Sequence, residues 1–380
     1  MSFDDYIERR GTGSIKWDRR PELDPYWVAD MDFRSPDCVL DALHKRIDHG
    51  IFGYAQAQES LEEAIADYFS TRHQIELDQS QLVHLGGLVP ALSLAARAFG
   101  KPGDNLLTGT PIYPPFLGVA KDAGMETRRV PHLLVDDRWS FDLDGLEATV
   151  DEKSKLLLLC HPQNPLGRCF TIGELEEIGE FCQSHDLILV SDEIHCDLVL
   201  HEEATPFRSA LHLPERLHDR LIVLQSPSKT YNIAGLGYAY AIIPDERLRK
   251  RFNAAKGHTL AEINCLAYTA AEAAYREGEG WRQELLAYLR KNCQLVTDFV
   301  RTELPDVRLP TIEATYLAWL DCSALDFENP SEHLEKNAQL FVSDGSYFGA
   351  KRCTRFNFGC SRDRVREGLE KVKRGFDWLD

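Results

Sequence analysis

From about residue 80 to residue 245 the chain alternates short apolar runs with stretches whose apolar residues recur at helical spacing. The runs Leu106-Leu107, Leu156 to Cys160, Leu187 to Val190, Leu221 to Leu224 and Tyr238 to Ile243 are continuous rather than alternating. Continuity of this kind marks strands buried on both faces. Between two of them, Thr171 and Glu174 make a capping box, and Ile172, Leu175, Ile178, Phe181 and Cys182 share one face of the helix that follows. Strands alternating with helices predict an α/β fold, a mostly parallel sheet with helices on both faces.

The flanks read differently. Residues 1–34 are irregular and rich in Asp, Arg and Trp, the pattern of an arm. Ser35-Pro36 predicts a helix opening, Ser as N-cap and Pro as first helical residue, running to about His49. Leu61, Ala64, Ile65, Tyr68 and Phe69 predict a second helix. After Asp245, helical patterns run to about Glu303, followed by strand candidates Thr315 to Leu320 and Arg352 to Phe358 and a closing helix from about Arg362. That is a smaller α+β unit after an α/β core.

Composition narrows the function classes. A length of 380 residues with 43% hydrophobic content supports two domains, or one large one, without staples. The formal net charge of −18 argues against nucleic acid and anionic membrane as partners, since both need clustered basic surface. The ten cysteines are scattered and form no Cys-x-x-Cys pair, so reduced, mostly buried thiols are expected and a zinc site is not. The first residues hold no basic stretch followed by an apolar one, and the long uncharged stretch Asn105 to Ala120 carries three prolines. A cytoplasmic location is the expectation.

In open α/β sheets ligands sit at the carboxyl ends of strands. After Leu156–Cys160 comes Asn164 between two prolines; after Leu187–Val190 comes Asp192; after Leu221–Leu224 come Ser226, Ser228 and Lys229. Taken singly, these could be a turn former, a helix cap and a solvated charge. Together they bring an amide, a carboxylate and a hydroxyl-flanked lysine to one sheet edge. A desolvated lysine suits Schiff-base chemistry, and an acid can hold a pyridinium nitrogen protonated.

In this set the chain resembles the fold-type I pyridoxal-phosphate enzymes of the class I/II aminotransferase superfamily over nearly its whole length. Within it the chain is most similar to the branch of cystathionine β-lyases and related C–S lyases. Ala-Asp-Met-Asp-Phe at 29–33, His-Gly-Ile-Phe-Gly-Tyr at 49–54, Ser-Asp-Glu-Ile-His at 191–195, Thr-Tyr-Leu-Ala-Trp-Leu-Asp at 315–321 and Arg-Phe-Asn-Phe-Gly-Cys at 355–360 carry that closer match. The resemblance implies an arm at 1–45 packing with the small domain, a large pyridoxal-phosphate-binding domain at 46–268 and a small C-terminal domain at 269–380.

It also implies roles. Lys229 would hold pyridoxal 5'-phosphate covalently and later move the Cα proton. Asp192 would pair with the ring nitrogen, Asn164 with the ring hydroxyl and the substrate side, and Tyr113 would stack on the ring. Ser226, Ser228 and the backbone N–H groups of Gly87 and Leu88 would hold the phosphate, joined by Tyr54 from the partner subunit of a homodimer. Arg355 would fork the α-carboxylate of a small amino-acid substrate.

Three features depart from the main aminotransferase pattern. Leu85-Gly86-Gly87-Leu88 lacks a hydroxyl, Gly237 stands where many aminotransferases carry a phosphate-binding arginine, and His195 stands where a tyrosine is common. The last two point to the lyase branch, and His195 becomes a candidate cofactor contact or a structural histidine. The resulting expectation is a C–S β-lyase releasing thiol, pyruvate and ammonia. Transamination shares every named residue and stays open, and so does a regulatory or binding protein on the same fold.

Overall fold

The computed structural model describes residues 2–257 and 260–377. Its centre is a seven-stranded sheet built from β1 (Leu82–Leu85), β2 (Asn105–Thr110), β3 (Glu126–Pro131), β4 (Ser154–Cys160), β5 (Ile188–Asp192), β6 (Leu221–Gln225) and β7 (Ala239–Ile242). The spatial order is β1-β7-β6-β5-β4-β2-β3, and β7 alone runs antiparallel to both of its neighbours. The continuous apolar runs have the reason the sequence suggested. Leu157, Leu159, Leu189 and Val223 pack on one face with the helices Glu59–Tyr68, Ile172–Ser184 and Cys265–Glu277. Leu156, Leu158, Val190 and Leu224 pack on the other face with Leu88–Phe99 and Glu246–Lys256.

Thr171 and Glu174 form both bonds of their capping box. The opening at Ser35-Pro36 is shifted: the helix is Asp37–Asp48 with Pro36 at the N-cap, and Ser35 Oγ donates instead to Asn232 O at 3.1 Å. Strands β1 and β3 had no apolar run to announce them. Each lies at an edge of the sheet, and β3 carries exposed or half-buried Glu126, Thr127, Arg128 and Arg129.

A second core joins helices Glu279–Glu303 and Arg362–Phe376 to a three-stranded sheet of β8 (Leu317–Asp321), β9 (Ser343–Asp344) and β10 (Cys353–Asn357). Tyr26, Ala29, Met31 and Phe33 from the arm pack into this same core. Among the described residues, no helix is long and apolar enough to cross a membrane.

Register decides where the chemistry lies. Cys160 pairs with Asp192, and Asp192 pairs with Leu224, so β4, β5 and β6 end level with one another. The loops carrying Asn164, His195 and Lys229 therefore leave the sheet side by side.

Candidate active site

A cavity of about 240 Å³ opens at this edge. Gly87, Leu88, Tyr113, Asn164, Asp192, His195, Ser226, Ser228 and Lys229 all line it. Nine of the sequence-derived candidates thus share one small space. Arg355, on β10, stands behind Asn164 rather than on the cavity wall, donating from Nη1 to Asn164 Oδ1 at 2.8 Å. Tyr54 is not brought there: it is fully exposed on its own chain, beside exposed Ile51 and Phe52.

The charges in the cavity are desolvated. Burial lifts the Asp192 carboxyl to about 7, against the Ile194 N–H that donates to Oδ1 at 3.1 Å and the nearby Lys229. Burial lowers Lys229 to about 8; Arg355 adds to that, while Asp30 and Asp192 oppose it. An amine at that value is partly free of its proton near neutrality, as a nucleophile or proton carrier needs. His195 is held down to about 3 by burial, Lys229 and Arg355, so its ring is neutral, and its buried Nδ1 has no hydrogen-bond partner. Burial also lowers Arg355 to about 10, and among the described residues no carboxylate lies within ion-pair distance of it. Its Nη2 donates to Trp27 O at 2.6 Å and its guanidinium lies 4.7 Å from the Phe348 ring centre. A buried guanidinium bound only to neutral acceptors can take a carboxylate in a two-pronged pair.

The phosphate-side candidates are arranged by backbone. Gly87 is the N-cap of Leu88–Phe99 at φ 151°, and the first N–H groups of a helix have no partner within it. An anion seated there needs no hydroxyl at Gly86 or Gly87. Ser226 Oγ donates to Tyr238 O at 2.6 Å and accepts from Ser228 N at 3.1 Å, which folds the loop before Lys229. Gly237 has φ 68°, and a Cβ there would stand 3.2 Å from Gly86 O. The absence of an arginine at this position therefore has a steric reason in this chain.

Several participants were not singled out from sequence. Lys229 Nζ donates to Ala29 O at 2.7 Å, and Tyr316 Oη donates to the same carbonyl at 3.1 Å. Ser343 Oγ accepts from Arg355 Nη2 at 3.3 Å. Tyr316 and Ala29 lay within noted motifs, but a backbone carbonyl leaves no mark in a sequence. Behind the site, His73, Cys196 and Asp197 lie close enough to suggest a metal. The Tyr68 hydroxyl already bonds all three, at 2.9 Å to His73 Nε2, 2.9 Å to Asp197 Oδ1 and 3.5 Å to Cys196 Sγ.

Comparison with known proteins gives the family. A family profile described as aminotransferase class I and II matches residues 28–372. The chain is 37% identical to the cystathionine beta-lyase PatB of Bacillus subtilis (strain 168), with 98% of this chain and 99% of the relative covered. Among solved structures it is similar to OvoB (40% identity, TM-score 0.95, 99% of each chain). It is also similar to the PLP-bound C–S lyase from Staphylococcus hominis (32% identity, TM-score 0.91, 99% of each chain).

Proposed function

The chain belongs to the aminotransferase class I and II family, and from that premise we propose that it is a pyridoxal-phosphate-dependent C–S β-lyase. Its substrate is cystathionine or a related cysteine S-conjugate, split to thiol, pyruvate and ammonia. The observation that carries the reading is the convergence of Lys229, Asp192 and Asn164 on one cavity, with the carboxylate-free Arg355 behind it. The direction toward C–S cleavage comes from the lyases to which the chain is similar over its full length.

The cavity's donor set fits the cofactor. It offers an amine of lowered pKa for the aldehyde, a buried carboxylate for the ring nitrogen and a helix N-terminus for the phosphate. His195, whose buried Nδ1 has no hydrogen-bond partner among the described residues, also lines that space. Pyridoxal phosphate, when bound, supplies a sink for the electron pair left at Cα.

The remaining work falls to the chain. Lys229 Nζ takes the Cα proton, since His195, whose imidazolium is held near 3, is too weak a base to compete for it. The proton then passes to the departing sulfur as the Cβ–S bond breaks, and water completes release of pyruvate and ammonia. Arg355 orients the substrate carboxylate, and Asn164, already bonded to Arg355, links the substrate side to the ring side.

In this reading the arm (1–45), the large domain (46–268) and the small domain (269–380) meet at the site. Exposed Ile51, Phe52 and Tyr54 support a homodimer in which Tyr54 reaches the partner's phosphate. The protein is placed in the cytoplasm, acting on a free amino acid.

Purified protein mixed with cystathionine should release thiol and pyruvate in equal amounts. Neither product appearing would overturn the reading. A keto-acid-dependent conversion of the cofactor to its amine form, without thiol, would replace it with transamination.

A further inference from the structure

The arm crosses the site as a ribbon, Trp27–Phe33, whose carbonyls are met by side chains from distant parts of the chain. Trp27 O accepts from Arg355 Nη2 and Ser343 Oγ. Val28 O accepts from Asn357 Nδ2 at 2.6 Å, and Asp30 O accepts from Asn357 Nδ2 at 2.8 Å and Lys16 Nζ at 3.2 Å. Met31 O and Phe33 O accept from Asn232 Nδ2 at 3.0 and 2.7 Å, while Asn232 Oδ1 accepts from Met31 N. Inside the Asn357 clamp, between Val28 O and Asp30 O, lies Ala29 O, taken by Lys229 Nζ and Tyr316 Oη.

The placement of the clamps is specific. Asn232 stands three residues after Lys229, and Asn357 stands two after Arg355, on the same face of β10. Each asparagine hangs on the same backbone as one of the two functional cations. The ribbon therefore has its position fixed relative to both.

We propose that this ribbon belongs to the catalytic apparatus: Ala29 O is the seat of the Lys229 amine whenever the lysine is not joined to cofactor, and Asn232 and Asn357 are positioning residues that hold that seat. The proposal rests on the reading of Lys229 as the cofactor-bearing, proton-moving amine. A carbonyl fixed at 2.7 Å keeps the amine beside the cavity and leaves its remaining valences free to face the substrate. A hydrogen bond from an ammonium is stronger than one from a neutral amine, so Ala29 O also favours the protonated state. Asp30 and Asp192 act in the same direction, burial and Arg355 act against it, and His195 is neutral. Loosening the ribbon removes a contribution that favours the proton, so the amine should lose its proton at lower pH.

The test strips the full chain of cofactor and follows covalent capture of added pyridoxal phosphate by its visible band across pH. In the wild type the capture rate should rise as pH passes about 8, where Lys229 loses its proton. In Asn357→Ala the rise should move down by about half a pH unit or more. In the loaded enzyme the same variant should lower kcat about tenfold and leave KM nearly unchanged. Asn232→Gly, which keeps the left-handed backbone at that position (φ 56°), should repeat both effects and serves should Asn357→Ala not fold. Folded variants whose pH profiles and kcat overlay the wild type would overturn the proposal. A wild type that captures no cofactor at any pH would overturn the functional reading beneath it, a different and separable result.

Discussion

Two walls meet at Lys229, and they work by different means. The sheet wall presents side chains: Asp192 at the end of β5, Asn164 after β4 and Lys229 after β6, each delivered by strands in register. The arm wall presents backbone: the carbonyls of Trp27 and Ala29 face Arg355 and Lys229, and the side chains that fix them come from elsewhere. The first wall supplies groups that react or carry charge. The second sets where two buried cations rest before substrate or cofactor engages them. Those cations differ in turn, since Lys229 has Asp30 and Asp192 near it while Arg355 has only neutral acceptors. In the proposed reading one gives and takes a proton, and the other waits for a carboxylate.

The largest effect should come from the sheet wall. Lys229→Ala should lower turnover by at least about 10³-fold and remove covalently held cofactor and its yellow colour. Thermal melting should show a folded protein, because the substitution removes one hydrogen bond, to Ala29 O, together with a desolvated charge. Retained turnover would dissolve the distinction between the walls, since the proton would then move without the lysine that joins them.

Next comes the cation held by the arm wall. Arg355→Ala should raise KM on the order of 10²-fold with a smaller fall in kcat, because a carboxylate loses its two-pronged partner. Arg355→Lys should fall between, since an ammonium cannot form the planar fork. Steady-state kinetics on one cysteine S-conjugate checks both. A kcat loss as deep as that of Lys229→Ala would make Arg355 part of the chemistry rather than of the binding.

The two walls were unequally legible in the sequence. Continuous apolar runs located β2, β4, β5, β6 and β7, and strand ends then pointed to Asn164, Asp192 and Lys229. The edge strands β1 and β3 were missed because a strand with one partner need not be apolar on both faces. The Trp27–Phe33 stretch of the arm read as irregular because its carbonyls pair mostly with side chains rather than with a neighbouring strand, so no period of two or 3.6 appears. Asn357 lay inside the noted Arg-Phe-Asn-Phe motif, yet nothing in its type shows that it clamps Val28 and Asp30. Tyr54 belongs to a third case: its expected role depends on a second chain, and on its own chain it is simply exposed.

The smallest effect should sharpen the account of the arm wall. Tyr316 is buried without residual exposure, and its hydroxyl donates to Ala29 O at 3.1 Å. Phenylalanine keeps the ring and its packing and removes only that donor. In the cofactor-free protein Ala29 O retains Lys229 Nζ, so no buried acceptor is left empty there, and the loss is that of one neutral hydrogen bond, about 1 kcal/mol. Tyr316→Phe should therefore cost about 1 kcal/mol in a denaturant titration, lower kcat by no more than several-fold and leave KM unchanged. It should fall short of Asn357→Ala, because Asn357 holds the carbonyls on either side of Ala29 and fixes the ribbon, whereas Tyr316 steadies one oxygen. A Tyr316→Phe loss equal to that of Lys229→Ala would mean that the hydroxyl itself moves a proton. The arm wall would then hold a reacting group of its own.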